Sequence, residues 1–163
     1  MLGHILIPLD GSLLAQDAIE PAKQILKAQG KFTLVSIVEI PVNWEFGIAP
    51  EVILEQSKNS TARLLSQAKV YLEKLAMNLR AEDFLVDTVV QYGEAATVIV
   101  ETAADRKVDA IAMSTHGRSG ISRWLFGSVT NKVLGAAPCP VFVIPAKHQQ
   151  SQMDEPTHAV NYH

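Results

Sequence analysis

The segment Met113-Ser114-Thr115-His116-Gly117-Arg118-Ser119-Gly120, running through residues 121–126 to Gly127-Ser128-Val129-Thr130, has the residue types of a phosphate cradle. Its small residues let the backbone approach an anion closely. A helix opening at Gly127-Ser128 would add unpaired N–H groups and the positive end of its dipole. The hydroxyls of Ser128 and Thr130 are further donors. The plain alternative is a glycine turn with an ordinary serine cap, and spacing alone leaves both open. Familiar phosphate motifs do not fit. A P-loop needs lysine directly after its last glycine, and Gly127 is followed by Ser128. The dinucleotide fingerprint G-x-G-x-x-G belongs after the first strand, where this chain reads Asp10-Gly11-Ser12. Kinase and nucleophile-elbow motifs are absent.

Other residues carry two readings each. Asp10 ends the first apolar run, where a carboxylate can serve a ligand; it can also simply form the turn before Gly11. His116 lies beside the phosphate loop, and ordering that loop suits it better than general-base work. Arg118 and Arg123 can meet phosphates, a partner's acidic groups or solvent. Met113 reads as core, and Cys139, between two prolines, as a small buried hydrophobe. Trp44 either covers a ligand or packs on the long helix; Trp124, Leu125 and Phe126 form an apolar patch that packs locally, closes as a lid or meets a partner. His148, His158 and His163 have no metal-ligand spacing.

The elements around these loops alternate. Residues 5–9, 32–38, 84–91, 110–113 and 141–144 read as strands, short and rich in β-branched residues. A helix begins at the Ser12 cap and continues through Ala15, Ala18, Ile19, Ala22, Ile25 and Leu26 to a cap at Gly30, bent at Pro21. A loop covers 41–50. A long helix spans about 51–79, with Leu64, Leu65, Ala68, Leu72, Leu75, Ala76 and Leu79 as its buried stripe. Helices over 94–105 and 128–136 complete the pattern. This β-α alternation predicts an α/β fold: one domain over 1–146, with an open parallel five-stranded sheet and helices on both faces. Residues 147–163 read as a polar, disordered tail. Ligands of such sheets bind outside the carboxyl ends of the strands, at the switch in strand order.

Composition narrows the function classes. The chain has 163 residues, with 14 Lys+Arg against 17 Asp+Glu, a net charge of −3. That balance argues against a nucleic-acid partner. One cysteine excludes an internal disulfide and points to a reducing, cytoplasmic compartment. No run of about 18 apolar residues predicts a membrane span, and the amino end lacks the pattern of a signal peptide.

On three segments the chain resembles the universal stress protein family, over about residues 3–145. These are Ile7-Pro8-Leu9-Asp10-Gly11-Ser12, the block Met113 to Val129 with the motif G-x2-G-x9-G-(S/T), and Pro138-Cys139-Pro140-Val141. Gly117, Gly127 and Ser128 match the motif; Ser114 stands at its first position in place of glycine. The resemblance implies a Rossmann-like fold of the adenine nucleotide alpha hydrolase type, and a site for ATP, ADP or AMP. It places Pro8, Leu9 and Asp10 along the adenosine, with Asp10 on the ribose hydroxyls or a hydrated metal. Val38 offers its backbone to adenine, and Met113 and Ser114 lie under the nucleoside. Gly117, Gly127, Ser128, Val129 and Thr130 hold the phosphates. Mg²⁺ or Mn²⁺ would be borne mostly by phosphate oxygens and water. No residue is assigned as catalytic, so any ATPase activity is weak. A slow hydrolase or phosphotransferase using Asp10 and His116, an AMP or cyclic AMP sensor, and a nucleotide-free partner protein are the alternatives. The resemblance also implies a homodimer through Val141, Phe142, Val143 and Ile144, where an apolar edge would otherwise stand open.

Overall fold

The computed structural model describes residues 1–39, 50–114 and 127–145, with the backbone alone over 50–59. These form β1 (Leu2–Pro8), α1 (Leu13–Gln16), α2 (Ile19–Ile25), β2 (Leu26–Val38), α3 (Pro50–Ala81), β3 (Leu85–Tyr92), α4 (Ala95–Asp105), β4 (Ala110–Ser114), α5 (Ser128–Ala136) and β5 (Val141–Ile144). The strands make one sheet in the order β3-β2-β1-β4-β5, and every neighbouring pair is parallel. The expected α/β architecture is the one observed.

Side chains alternate between the two faces of each strand, so one strand feeds two cores. Ile5, Ile7 and Leu9 pack with Leu34, Ala18, Ala22, Leu72 and Ala76 beneath α1, α2 and α3. Leu6 packs with Val35, Ile111, Met113, Ile99 and Val133 beneath α4 and α5. Continuous apolar runs are the consequence, because a strand covered on both faces has no side for water. Phe32 and Phe84 meet edge to face, with ring centroids 5.2 Å apart.

Four local expectations are corrected. The helix expected from Ser12 to Gly30 is two helices, broken at Asp17–Ala18. A proline ring clashes with the carbonyl four residues back, and four back from Pro21 is Asp17. The break leaves Pro21 in the first turn of α2, where its missing N–H has no intrahelical partner to lose. Gly30 is not a helix cap: α2 ends at Ile25 and β2 starts at Leu26, with Gln29 at φ 57°. A Cβ at Gly30 would lie 2.4 Å from Leu26 Cγ, so the strand needs glycine there for close packing. Leu64 is 44% exposed and outside the core, whereas Leu72 is fully buried. A helix of 32 residues is roughly 48 Å long and overshoots strands of seven or eight residues, and among its described side chains those packed in the core run from Tyr71 to Leu79. The first and fourth strands also exceed the expected limits, to Leu2 and to Ser114. The loop over 41–49 and the tail over 147–163 lie outside the described residues.

Candidate functional site

The sheet is closed at its amino end and parts at its carboxyl end. At the amino end Asp109 N–H donates to His4 O at 2.9 Å, and its carboxylate accepts from the N–H groups of Gly3 and His4 at 2.6 and 2.9 Å. Those two donors hold the Asp109 carboxyl below its usual range. At the carboxyl end β1 stays paired to β2 through Pro8↔Val35, and β4 to β5 through Ser114↔Ile144. Between β1 and β4 the registered pairs are Ile5↔Ala110 and Leu6↔Ile111. Pro8 explains the parting. Leu9 N–H donates to Val35 O at 2.8 Å, on the β2 side. Successive backbone groups of a strand turn to opposite sides, so position 8 faces β4, and proline has no N–H to give. This crevice is the switch point, with β2 and β3 on one side of it and β5 on the other.

Asp10 stands at the lip of the crevice and organises its own turn. Its Oδ1 accepts from Ser12 N at 2.9 Å and from Ser12 Oγ at 2.6 Å. Ser12 Oγ in turn accepts from Ala15 N at 3.1 Å and caps α1. Gly11, at φ 85°, supplies the left-handed residue that this turn requires. The turn-forming role is therefore realised, and the carboxylate remains only half-buried at the strand end.

Ser114 ends β4 on the other lip. Its Oγ is buried and has no hydrogen-bond partner among the described residues. Burying a hydroxyl without a partner costs roughly 1–3 kcal/mol; residues 115–126, which continue the chain from Ser114, lie outside the described residues. The chain then returns in α5, which runs back toward the amino end of the sheet because β5 is parallel to β4. The N-terminus of α5 is thus at the crevice end. Its first intrahelical bond is Asn131 N to Gly127 O at 3.0 Å. The amides of Ser128, Val129 and Thr130 therefore have no acceptor within the helix. Gly127 has no side chain to cap them, and it and Ser128 are exposed. Amides left without an intrahelical acceptor in a helix's first turn are suited to accepting an anion.

The remaining candidates fall around the same end. Val38 ends β2, and its carbonyl accepts from Gly93 N at 3.2 Å. Leu9 is buried under α1 to α3, and Met113 under α4 and α5, each in the core on its own face of the sheet. Thr130 is buried, while Val129 is half-buried against the α4–α5 core. Gly117, His116, Arg118, Arg123, Trp44 and Trp124 lie outside the described residues. Cys139 is half-buried against the same core, and burial pushes its thiol up, away from the thiolate form.

Several neighbours were not legible in the sequence. Glu94 caps α4 by accepting from Thr97 N at 2.7 Å, and its other oxygen meets Lys132 Nζ of α5 at 2.9 Å. Lys132 and Thr97 together pull the Glu94 carboxyl down to about 2. Glu39 accepts from Ala95 N at 3.0 Å. Tyr71 of α3 accepts from Gln16 Nε2 at 3.2 Å. Burial raises its phenol; the Gln16 bond opposes this, and the charge of Asp10 adds to it. A signal for the Glu94 cap existed in the Gly93-Glu94 pair before an apolar helix; the other partners lie tens of residues apart. A groove of about 290 Å³ between α1–α2 and α3 holds Lys23 between Glu20 and Glu82, both at 2.7 Å, so that cation is already matched.

Comparison with known proteins adds three findings. The model of the universal stress protein family matches residues 1–145. A universal stress protein of Methanocaldococcus jannaschii is 31% identical over 86% of this chain and 80% of its own. Among solved structures, hypothetical protein MJ0577 is 28% identical with a TM-score of 0.75, covering 90% of this chain and 98% of that one. The universal stress protein UspA of Lactobacillus plantarum is 26% identical with a TM-score of 0.68, covering 86% and 96%. Two more distant structures share the fold: one universal stress protein in complex with cAMP, and one of Arabidopsis thaliana with AMP bound. Their identities are 19% and 14%, with TM-scores of 0.55 and 0.60.

Proposed function

The chain belongs to the universal stress protein family, and from that premise we propose that it binds an adenine nucleotide in the crevice between β1 and β4. The ligand is ATP, with ADP and AMP as close alternatives, and binding makes the protein a nucleotide-dependent stress-response or signalling module. The observation that carries the reading is the buried Ser114 Oγ, which has no hydrogen-bond partner among the described residues, at the point where the two strands part. It accords with polar ligand atoms entering there, as the first-turn amides of α5, which have no acceptor within the helix, accord with phosphates. Pro8, Leu9 and Asp10 line the nucleoside side, Val38 the adenine, and Met113 and Ser114 the floor. Gly117, Gly127, Ser128, Val129 and Thr130 hold the phosphates.

Mg²⁺ or Mn²⁺ travels with the triphosphate, bound by phosphate oxygens and water. Among the described residues no group of three His, Cys, Asp or Glu side chains could cage a metal, and Asp10 would meet the ribose hydroxyls or the hydrated metal. Hydrolysis is slow at most. The protein pairs with a second copy along β5, whose Phe142 is 41% exposed at the sheet edge. The single cysteine accords with a cytoplasmic, reducing location. Among the described residues no helix is long and apolar enough to cross a membrane. A second reading, a sensor of AMP or cyclic AMP, draws on the two distant structures that carry those ligands.

Two measurements test the site together. Mass spectrometry identifies any small molecule released from gently purified protein, and a thermal shift compares ATP, AMP and cyclic AMP with Mg²⁺. A ligand at 100 times its Kd adds roughly 2.7 kcal/mol of stability, a clear rise in Tm. The largest rise with ATP supports the first reading, and a rise with AMP or cyclic AMP alone supports the second. Gly127→Val, at an exposed position with φ −58°, should fold normally and lose nucleotide binding. Wild-type affinity in that variant would remove the α5 terminus from the site.

A further inference from the structure

The two edges of the sheet end differently. By length the β3 edge is the better template for strand addition, with eight residues against four in β5. It also exposes Leu85 and Tyr92, by 61% and 67%. Yet one of its outward carbonyls is taken. Gly93 N–H points to β2, at 3.2 Å from Val38 O. Backbone groups alternate along a strand, so the N–H and C=O groups of Tyr92, Val90, Thr88 and Val86 point away from β2, to the open side. Arg80 of α3 reaches over that side and donates from Nη2 to Val86 O at 2.8 Å. Glu73, two helical turns earlier, holds the same guanidinium at 3.0 Å and accepts from Thr88 Oγ1 at 2.6 Å. These two hydrogen bonds hold the Glu73 carboxyl below its usual range.

We propose that the Glu73–Arg80 pair closes the β3 edge to strand addition, so that a second copy of this chain can pair only along β5. The inference takes the β5 dimer of the preceding reading as its starting point. Its consequence is closure. An assembly with one usable edge per protomer stops at a two-fold dimer, whereas two usable edges per protomer would allow sheets to add end to end. A strand that pairs along the full length of β3 must displace a planar cation already bonded to Val86 O, and one that pairs beside it must bring its own backbone near that charge.

Sedimentation velocity of the full chain over a wide concentration range tests this, with Arg80→Met, Phe142→Asp and the double variant. Methionine keeps the aliphatic stem and removes the guanidinium. The wild type should hold a mass twice that of the 17.8 kDa chain at every concentration. Arg80→Met should grow reversibly beyond the dimer, Phe142→Asp should be a monomer, and the double variant should dimerise through β3. Amide exchange at Thr88 and Val90 should slow in the Arg80→Met assemblies, and Arg80→Lys should restore the dimer. A cooperatively melting Arg80→Met protein with wild-type mass would overturn the proposal, as would a monomeric double variant. If Arg80→Met loses its cooperative melt, Glu73→Ala carries the same test, and an unchanged mass there overturns it. A wild type that stays monomeric refutes the β5 dimer alone, and the cap is then judged by whether Arg80→Met dimerises.

Discussion

Asp10 has two roles to separate, one structural and one for the ligand, and two substitutions split them. Its Oδ1 takes two hydrogen bonds from Ser12, at 2.9 and 2.6 Å, and the second holds the hydroxyl that caps α1. Asp10→Ala removes both. At a half-buried turn each is worth about 1 kcal/mol, so the loss is about 2 kcal/mol. For a domain of this size that lowers Tm by roughly 4–8 °C. Asp10→Asn keeps an oxygen where Oδ1 stands and should change Tm by no more than ~2 °C. It removes the charge that ribose hydroxyls or a hydrated metal would meet. A hydrogen bond to a charged acceptor is worth about 1.5–3 kcal/mol, so ATP affinity should fall roughly 10- to 150-fold. The assays are a thermal melt without ligand and a calorimetric titration with Mg-ATP on the same samples. Wild-type affinity in Asp10→Asn would refute the ligand role. A wild-type melt in Asp10→Ala would refute the account of the turn. A double-mutant cycle with Ser12→Ala should show that about half of the stability loss is shared, since the backbone N–H of residue 12 still donates to Asp10 in that variant.

Three more outcomes follow from the fold. Gly30→Ala forces a Cβ to within 2.4 Å of Leu26 Cγ and 2.8 Å of Lys27 O; it should cost about 1–3 kcal/mol, read as a lower urea midpoint. A midpoint equal to the wild type's would place the β2 start differently. Leu72→Ala, at a fully buried position, should cost about 2–5 kcal/mol, while Leu64→Ala, at 44% exposure, should stay within about 0.5 kcal/mol. Comparable losses would mean that the amino half of α3 is packed. Acid should destabilise the fold in two stages. Burial lowers the His4 imidazole, so its contribution fades as pH falls through 6.5. Asp87 is held low by its hydrogen bond to Lys31, and Glu94 is brought from 4.5 to about 2. The folded chain therefore binds fewer protons than the unfolded one, and this stability is full above pH 4.5 and lost as pH falls toward 2. Urea midpoints against pH check the slope, and Glu94→Gln should flatten its acid limb. A midpoint constant from neutral pH down to about pH 3 would contradict the linkage.

The strands were legible because a parallel sheet covered on both faces needs continuous apolar runs, and residues 5–9 and 110–113 have them. The Ser12 cap was legible for a local reason as well: a hydroxyl reaches an amide three residues on, and Ala15 N is that amide. Gly30 misled because glycine serves two opposite needs. As a helix cap it supplies left-handed backbone, and here it supplies room for Leu26. Leu64 misled because periodicity gives the apolar face of a helix but not the length of sheet available to cover it. In the site, the residues from 8 to 10 and from 127 to 130 could be picked out by type and by their place after strands. The state of Ser114 could not. What surrounds a hydroxyl depends on the folded chain, and among the described residues nothing bonds to Ser114 Oγ.

Local pattern therefore gave most of the element types and the parallel sheet, and pointed to the loops where the proposed nucleotide site lies, since each depends on residues within a few positions of one another. Tertiary structure decided what depends on partners far apart in sequence. Pro8 opens the sheet only because its bare nitrogen faces β4. Lys132 meets Glu94 across 38 positions, and Gln16 meets Tyr71 across 55. Glu73 and Arg80 guard the edge of β3 only because the strand order places β3 outermost. Side-chain reach is a few ångströms in any protein, and only the folded path of the backbone brings such residues within it.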